Sequence, residues 1–234
     1  MRRDVINRIS AVLRRWYPDC ELRCFGSFAS GLYLPTADMD LVLLSPQFIA
    51  GGLPVYGQVK KWLYKCSDQL LRADGLVLPG SMEVIAKARV PILKFVDRAT
   101  NLHVDISFEN TTGLIANGTF QEWKKEYPAM PKLATLVKQF VLMRGLNEVY
   151  NGGVGGFSIV CLVVSFLQHH PATQSKNITP DHHLGDLFMN FLDLYGNKFN
   201  LDTTGISMEP AGYFPKSVSH SHFFPHSSLA NRLR

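Results

Sequence analysis

Three aspartates and one glycine–serine turn are the residues of this chain whose types and spacing can do chemistry together. Asp38 and Asp40 stand two apart in Ala37-Asp38-Met39-Asp40-Leu41, and in an extended strand that spacing puts both carboxylates on one face while Met39 and Leu41 point to the other. Asp105 lies in a segment where Leu102, Val104, Ile106 and Phe108 alternate with His103, Asp105 and Ser107. If the two strands are neighbours in one sheet, the three carboxylates converge. Carboxylates held close repel one another, and a divalent cation is the usual reason to keep them ionised together. Oxygen donors of this kind suit Mg2+ or Mn2+ better than zinc. Upstream, Gly26-Ser27 ends a short strand: glycine lets the backbone approach a ligand, N–H groups at such a turn suit a phosphate, and the Ser27 hydroxyl adds a donor. Asp-x-Asp or Gly-Ser alone is met at many turns; the two in series, followed by a third aspartate on an alternating strand, form a specific constellation.

The elements that must position these groups are legible in the hydrophobic pattern. Residues 2–16 read as an amphipathic helix, with Val5, Ile6, Ile9, Val12, Leu13 and Trp16 on one face and Arg2, Arg3, Arg8, Arg14 and Arg15 expected on solvated ones. Pro18 ends it. Glu21–Phe25 and Asp38–Leu44 read as strands, Leu53–Leu71 as a helix with Gly57 its weak point, and Val84–Ala88, Pro91–Val96 and Leu102–Phe108 as further strands. After Thr112 the strands are expected to stop: Phe120–Lys125, Met130–Arg144, Phe157–His169 and Leu184–Tyr195 all carry helical patterns. The fold class is therefore mixed α/β (α+β), with a catalytic domain over residues 1–118, an all-helical domain over 119–216 and a Ser/His-rich tail over 217–234.

Composition excludes several classes. Of 234 residues 46% are apolar and 18% charged, which rules out disorder and fibrous repeats. The four cysteines form no CxxC pair and read as reduced thiols. The most apolar run, Phe157–Leu167, falls short of the roughly 20 residues that span a bilayer, so no membrane partner is expected. The net charge of +5 is compatible with a polyanionic partner without requiring one. His103 and the His182-His183 pair read as surface residues, and His220, His222 and His226 as part of the tail.

The stretch CFGSFASGLYLPTADMD over residues 24–40, with HVDISF (103–108), LVKQF (136–140), NGGVGGFS (151–158) and YFPK (213–216), resembles the DNA polymerase β-like nucleotidyltransferases, and within them the poly(A) polymerases of nuclear RNA surveillance, the TRAMP type. The resemblance implies a palm with a mixed sheet followed by a helical poly(A)-polymerase-associated domain. It implies template-independent transfer of a nucleotide from a nucleoside triphosphate, ATP in the leading reading, to an RNA 3′ end. Two ions, Mg2+ or Mn2+, would be held by Asp38, Asp40 and Asp105, and Gly26 and Ser27 would hold the phosphates. Lys138 would place a charge on the triphosphate, Phe157 would stack on the base (a core residue of its helix on pattern alone), and Asn110 would contact the ribose.

The same resemblance implies a zinc-knuckle RNA-binding protein and an RNA helicase as partners, and a nuclear, possibly nucleolar, address. It covers roughly residues 2–216. Relatives carry a helix before residue 2 and a base-recognising loop and helix after the YFPK segment, so the chain is expected to be truncated at both ends of the family pattern. Two alternatives stand beside adenylyl transfer: a uridylyl or mixed-nucleotide transferase, though the second lysine of some uridylyl-adding relatives is here Leu142, and a weakly active scaffold subunit.

Overall fold

A computed structural model describes residues 1–56 and 60–217, which fall into two compact units, one ending at Thr119 and the other beginning at Phe120. The first is built on a five-stranded sheet. Helix α1 (Arg2–Trp16) is followed by β1 (Glu21–Phe25), a short helix α2 (Gly26–Ser30), β2 (Met39–Leu44), α3 (Pro46–Ile49), α4 (Lys60–Arg72), β3 (Glu83–Ile85), β4 (Ile92–Val96) and β5 (His103–Phe108). Strand order is β1-β2-β5-β4-β3; β2 and β5 run parallel, and the other neighbours are antiparallel. A parallel pair needs a long crossover, and here α3, α4 and the β3–β4 hairpin supply it.

Alternation decides which face carries chemistry. Met39, Leu41 and Leu43 of β2 and Val104 and Ile106 of β5 are buried in one cluster with Val5, Ile9 and Leu13 of α1 and Leu63, Cys66 and Leu70 of α4. Asp40 and Asp105, one step out of phase, therefore project from the opposite face. Burying that many large aliphatic side chains, at about 1.5–3 kcal/mol each, gives the sheet its rigidity.

In the second unit, α5 (Thr112–Glu126) enters from the first, and α6 (Met130–Met143), α7 (Gly156–His169), α8 (Pro171–Gln174) and α9 (Leu184–Asp193) follow. Apolar α7 forms the centre: Ile159, Val160, Val163, Val164, Phe166 and Leu167 are buried, as are Leu133 and Val137 of α6 and Leu187 and Phe191 of α9.

Four expectations are corrected. The second unit is not all helical: β6 (Thr204–Met208) and β7 (Ala211–Pro215) form an antiparallel hairpin, stabilised by Tyr213, which stacks on His169 of α7 with ring centroids 4.5 Å apart. Helix α5 starts at Thr112 instead of Phe120, and the Asn110 Oδ1 accepts the Thr112 N–H (3.0 Å) in a turn that leads into it. Leu53–Tyr56 is not helical; its weak point Gly57 lies outside the described residues, as do His220, His222 and His226. Two of the five N-terminal arginines do not simply face solvent: Arg8, partly exposed, pairs with the buried Asp97, and Arg2 is itself buried. No helix among the described residues is long and apolar enough to cross a membrane.

Candidate active site

Asp40 and Asp105 are register partners across the parallel pair β2–β5, so the two carboxylates lie side by side at the centre of the sheet. Asp38 lies one residue before β2 and is close enough for its charge to act on both Asp105 and Lys94. Lys94, the register partner of Asp105 on β4, sets its ammonium 3.2 Å from Asp105 Oδ2. Burial is the main influence on Asp105 and raises its pKa, while Lys94 pulls it down and Asp38 adds a further push upward. Burial also works against the Lys94 ammonium, but Asp105 and Asp38 outweigh it and raise its pKa.

Among the described residues, Asp105 Oδ1 is buried without a hydrogen-bond partner, and no three acidic, histidine or cysteine side chains are gathered tightly enough to hold a metal ion by themselves. An orphaned carboxylate oxygen inside an excess of negative charge, with only oxygen donors around it, fits a hard divalent cation. The donors that could hold one are Asp38, Asp40 and Asp105. Burial, with the charge of Asp40 adding to it, pushes the Cys24 thiol up to about 11, which disfavours the thiolate.

Gly26 opens α2 in the left-handed region (φ +71), and a Cβ there would stand 2.1 Å from Asp40 Oδ2. The glycine is thus needed twice, for its backbone and for the space Asp40 occupies. Ser27 follows it, with its own carbonyl accepting from the Leu32 N–H (2.9 Å) and the Ser30 hydroxyl (3.0 Å), which closes the turn. Asn110 sits just past β5, its oxygen committed to the turn that leads into α5 and only its amide group left for a ligand.

In the second unit, Lys138 of α6 lies against the first turn of α7: a Cβ on Gly156 would meet its Cε and Nζ, both at 3.5 Å. Phe157, the next residue, is 53% exposed, so it is not the core residue its apolar helix suggests; its ring lies 5.7 Å from that of Phe120.

Three further residues of this unit carry no motif of their own. Lys94 could have been found as the one charge in the apolar strand Ile92–Val96. Glu109, buried at φ +48 just past β5, accepts from the Ser45 hydroxyl and the Tyr56 N–H (2.6 Å), bracing the end of the strand. Arg2, only 8% exposed, reaches the loop that leads into Asp38, and nothing local in the sequence signals it.

Comparison with known proteins gives this geometry a lineage. A family model described as "Poly(A) RNA polymerase, mitochondrial-like, central palm domain" matches residues 1–124, and one described as "Cid1 family poly A polymerase" matches residues 183–230, continuing past Lys216 into the tail. Poly(A) RNA polymerase cid14 of Schizosaccharomyces pombe is 41% identical over 215 residues, covering 92% of this chain and 30% of that protein. Poly(A) RNA polymerase protein 2 of Saccharomyces cerevisiae is 39% identical over 220 residues, covering 93% and 36%. A solved structure of the polymerase core of TRAMP, an RNA surveillance complex, matches with a TM-score of 0.80 at 38% identity over 93% of this chain and 65% of that one. The chain spans about a third of the length of these curated relatives. A palm match over more than half of its residues, and relatives aligned over nearly all of them, make the chain a member of the poly(A) RNA polymerase family of nucleotidyltransferases.

Proposed function

We propose that this chain is the catalytic part of an RNA 3′-end adenylyltransferase, with residues 1–118 as its palm and residues 119–216 as its helical domain. The observation that supports it most is the side-by-side placement of Asp40 and Asp105 on parallel strands, with Asp38 beside them and the Gly26 turn packed against Asp40. A pair of Mg2+ or Mn2+ ions, when bound by these carboxylates, supplies the lowered pKa of the attacking hydroxyl and the neutralisation of the triphosphate. The protein's own groups do the remaining work. The rigid sheet holds the carboxylates close, an arrangement whose repulsion nearby positive charge relieves. Backbone N–H groups at Gly26 and Ser27, with the Ser27 hydroxyl, hold phosphate oxygens. Lys138 adds a fixed positive charge for the triphosphate, exposed Phe157 offers a face for the adenine, and the Asn110 amide is left for the ribose.

The reading extends to a TRAMP-like assembly in the nucleus, in which a zinc-knuckle protein and a helicase supply RNA grip. A net charge of only +5 leaves the isolated chain with modest, salt-sensitive RNA affinity. The test is extension of an oligo-RNA by the protein with Mg2+ or Mn2+ and each nucleoside triphosphate in turn. Preferential use of ATP, lost in Asp38→Ala/Asp40→Ala, is the expected result. Preferential use of UTP would establish the uridylyl alternative. Absence of extension, even with a zinc-knuckle partner, would establish the scaffold alternative.

A further inference from the structure

Arg2 occupies an unusual position for a residue in the first turn of a surface helix. It is 8% exposed, and its guanidinium donates to three carbonyls of one loop: Pro35 O at 3.0 Å, Ala37 O at 2.6 Å and Asp38 O at 3.4 Å. The same group lies over the rings of Phe28 (5.5 Å) and Tyr33 (5.0 Å), which meet edge to face with centroids 5.2 Å apart. Phe28 belongs to α2, the element that Gly26 and Ser27 begin. One cation thus joins α1, the α2 turn and the backbone of Asp38.

A buried guanidinium is costly unless its N–H groups are satisfied, and here three backbone carbonyls accept from it. Its hydrogen bonds therefore hold the backbone of the loop that carries Asp38. Their spread over residues 35–38 also matches the planar fork of arginine and not the point charge of lysine. Within the loop, a turn is closed by the Ala37 N–H donating to Leu34 O (2.9 Å) just before β2 begins.

We infer that Arg2 is a positioning residue for nucleotidyl transfer, an inference that rests on the reading above: it holds the Pro35–Asp38 loop so that the Asp38 carboxylate stays in register with Asp40 and Asp105. Without the fork, the loop and the carboxylate drift from the sheet while the sheet itself persists, because the core of α1 is carried by Val5, Ile9 and Leu13. Misplacement of a catalytic group by about 1 Å can cost up to about a hundredfold in rate.

The experiment compares the protein with its Arg2→Lys and Arg2→Ala variants by thermal unfolding, amide hydrogen exchange, binding of Mn2+ alone by electron paramagnetic resonance, and steady-state ATP kinetics on an oligo-RNA. In Arg2→Lys the expected result is a melting midpoint close to the parent's. Exchange quickens only around residues 36–40, Mn2+ binds several-fold more weakly, and kcat falls about tenfold with KM for ATP nearly unchanged. Arg2→Ala moves further in the same direction. Parent-like Mn2+ binding and kcat in a folded Arg2→Lys protein would overturn the inference, and so would exchange that quickens uniformly across the sheet, the mark of a merely structural role. If the parent itself fails to extend RNA, the proposed function falls, while the Mn2+ and exchange measurements still decide the role of Arg2.

Discussion

Lys94 and Asp105 stand opposite each other on β4 and β5, the ammonium 3.2 Å from a carboxylate that is half buried beside other acids. Lys94 is thus a counter-ion of Asp105 within the cluster. Burial raises the pKa of Asp105 above its ordinary value of 3.8, so its contribution to stability is present below that value and is lost as pH rises through the higher folded value. Lys94→Met removes the influence that opposes the rise. Thermal melts in EDTA from about pH 4 to pH 7 should show a larger loss with rising pH in Lys94→Met than in the parent. Equal losses would mean that the pair does not carry the charge balance of the site.

In the proposed function the three aspartates are held together at the expense of stability. Asp105→Asn should lower RNA extension about a thousandfold, some 4 kcal/mol of transition-state stabilisation, while raising the melting midpoint measured without divalent cation. Asp38→Asn and Asp40→Asn should lose activity on the same scale. A variant that keeps parent-like extension removes its aspartate from the mechanism.

Gly26 can be tested against a second glycine of the same unit. Gly26 (φ +71) and Gly75 (φ +70) share the left-handed backbone, but a Cβ at Gly26 meets Asp40 Oδ2 whereas one at Gly75 meets nothing within 4 Å. Both Gly→Ala variants should lose about 1–2 kcal/mol of stability from the backbone alone. Only Gly26→Ala should also lose rate, by displacing the Asp40 carboxylate. Denaturant unfolding and single-turnover extension separate the two effects.

Far from the carboxylates, Arg8 grips the fully buried Asp97 through two bonds of 2.8 and 2.9 Å, and Thr100 adds its N–H and hydroxyl. Burial alone would raise the pKa of Asp97, but the bonds from Arg8 and Thr100 prevail and hold it below its ordinary 3.8. A depressed carboxylate stabilises the fold above its unfolded value and stops doing so as pH falls through the folded one. Arg8→Ala, which leaves a buried charge half satisfied, should cost about 3 kcal/mol at neutral pH. The gap between parent and variant should narrow below about pH 4, as read by urea unfolding at a series of pH values.

The parts of this molecule that the sequence discloses are those governed by a period. The alternation of Leu102, Val104, Ile106 and Phe108 locates β5 to within a residue, and the two-residue spacing of Asp38 and Asp40 anticipates the face from which Asp40 projects. What it hides depends on groups far apart in the chain. The bonds of Arg2 to the Asp38 loop span 33 to 36 positions, and no pattern within a helix announces such a reach. The β6–β7 hairpin escapes because glycine interrupts both strands, at Gly205 and Gly212, and so depresses β propensity. Tertiary packing restores it: the Phe214 ring covers Gly205 so closely that a Cβ there would lie 2.4 Å from Cζ. Phe157 stood out only as a motif position, since its apolar helix suggests a core residue whereas the side chain is exposed.

The parallel pairing of β2 with β5 also governs when a working centre can exist. The Ser107 hydroxyl bonds to the Leu41 carbonyl across 66 positions, and between these strands the chain must first lay down α3, α4 and the β3–β4 hairpin. Contacts of that separation form late, after the loop entropy has been overcome. A nascent chain that has emerged only through β2 therefore exposes Asp38 and Asp40 without the strand that brings Asp105 beside them. On the proposed reading, the full set of three carboxylates is assembled only when β5 pairs with β2.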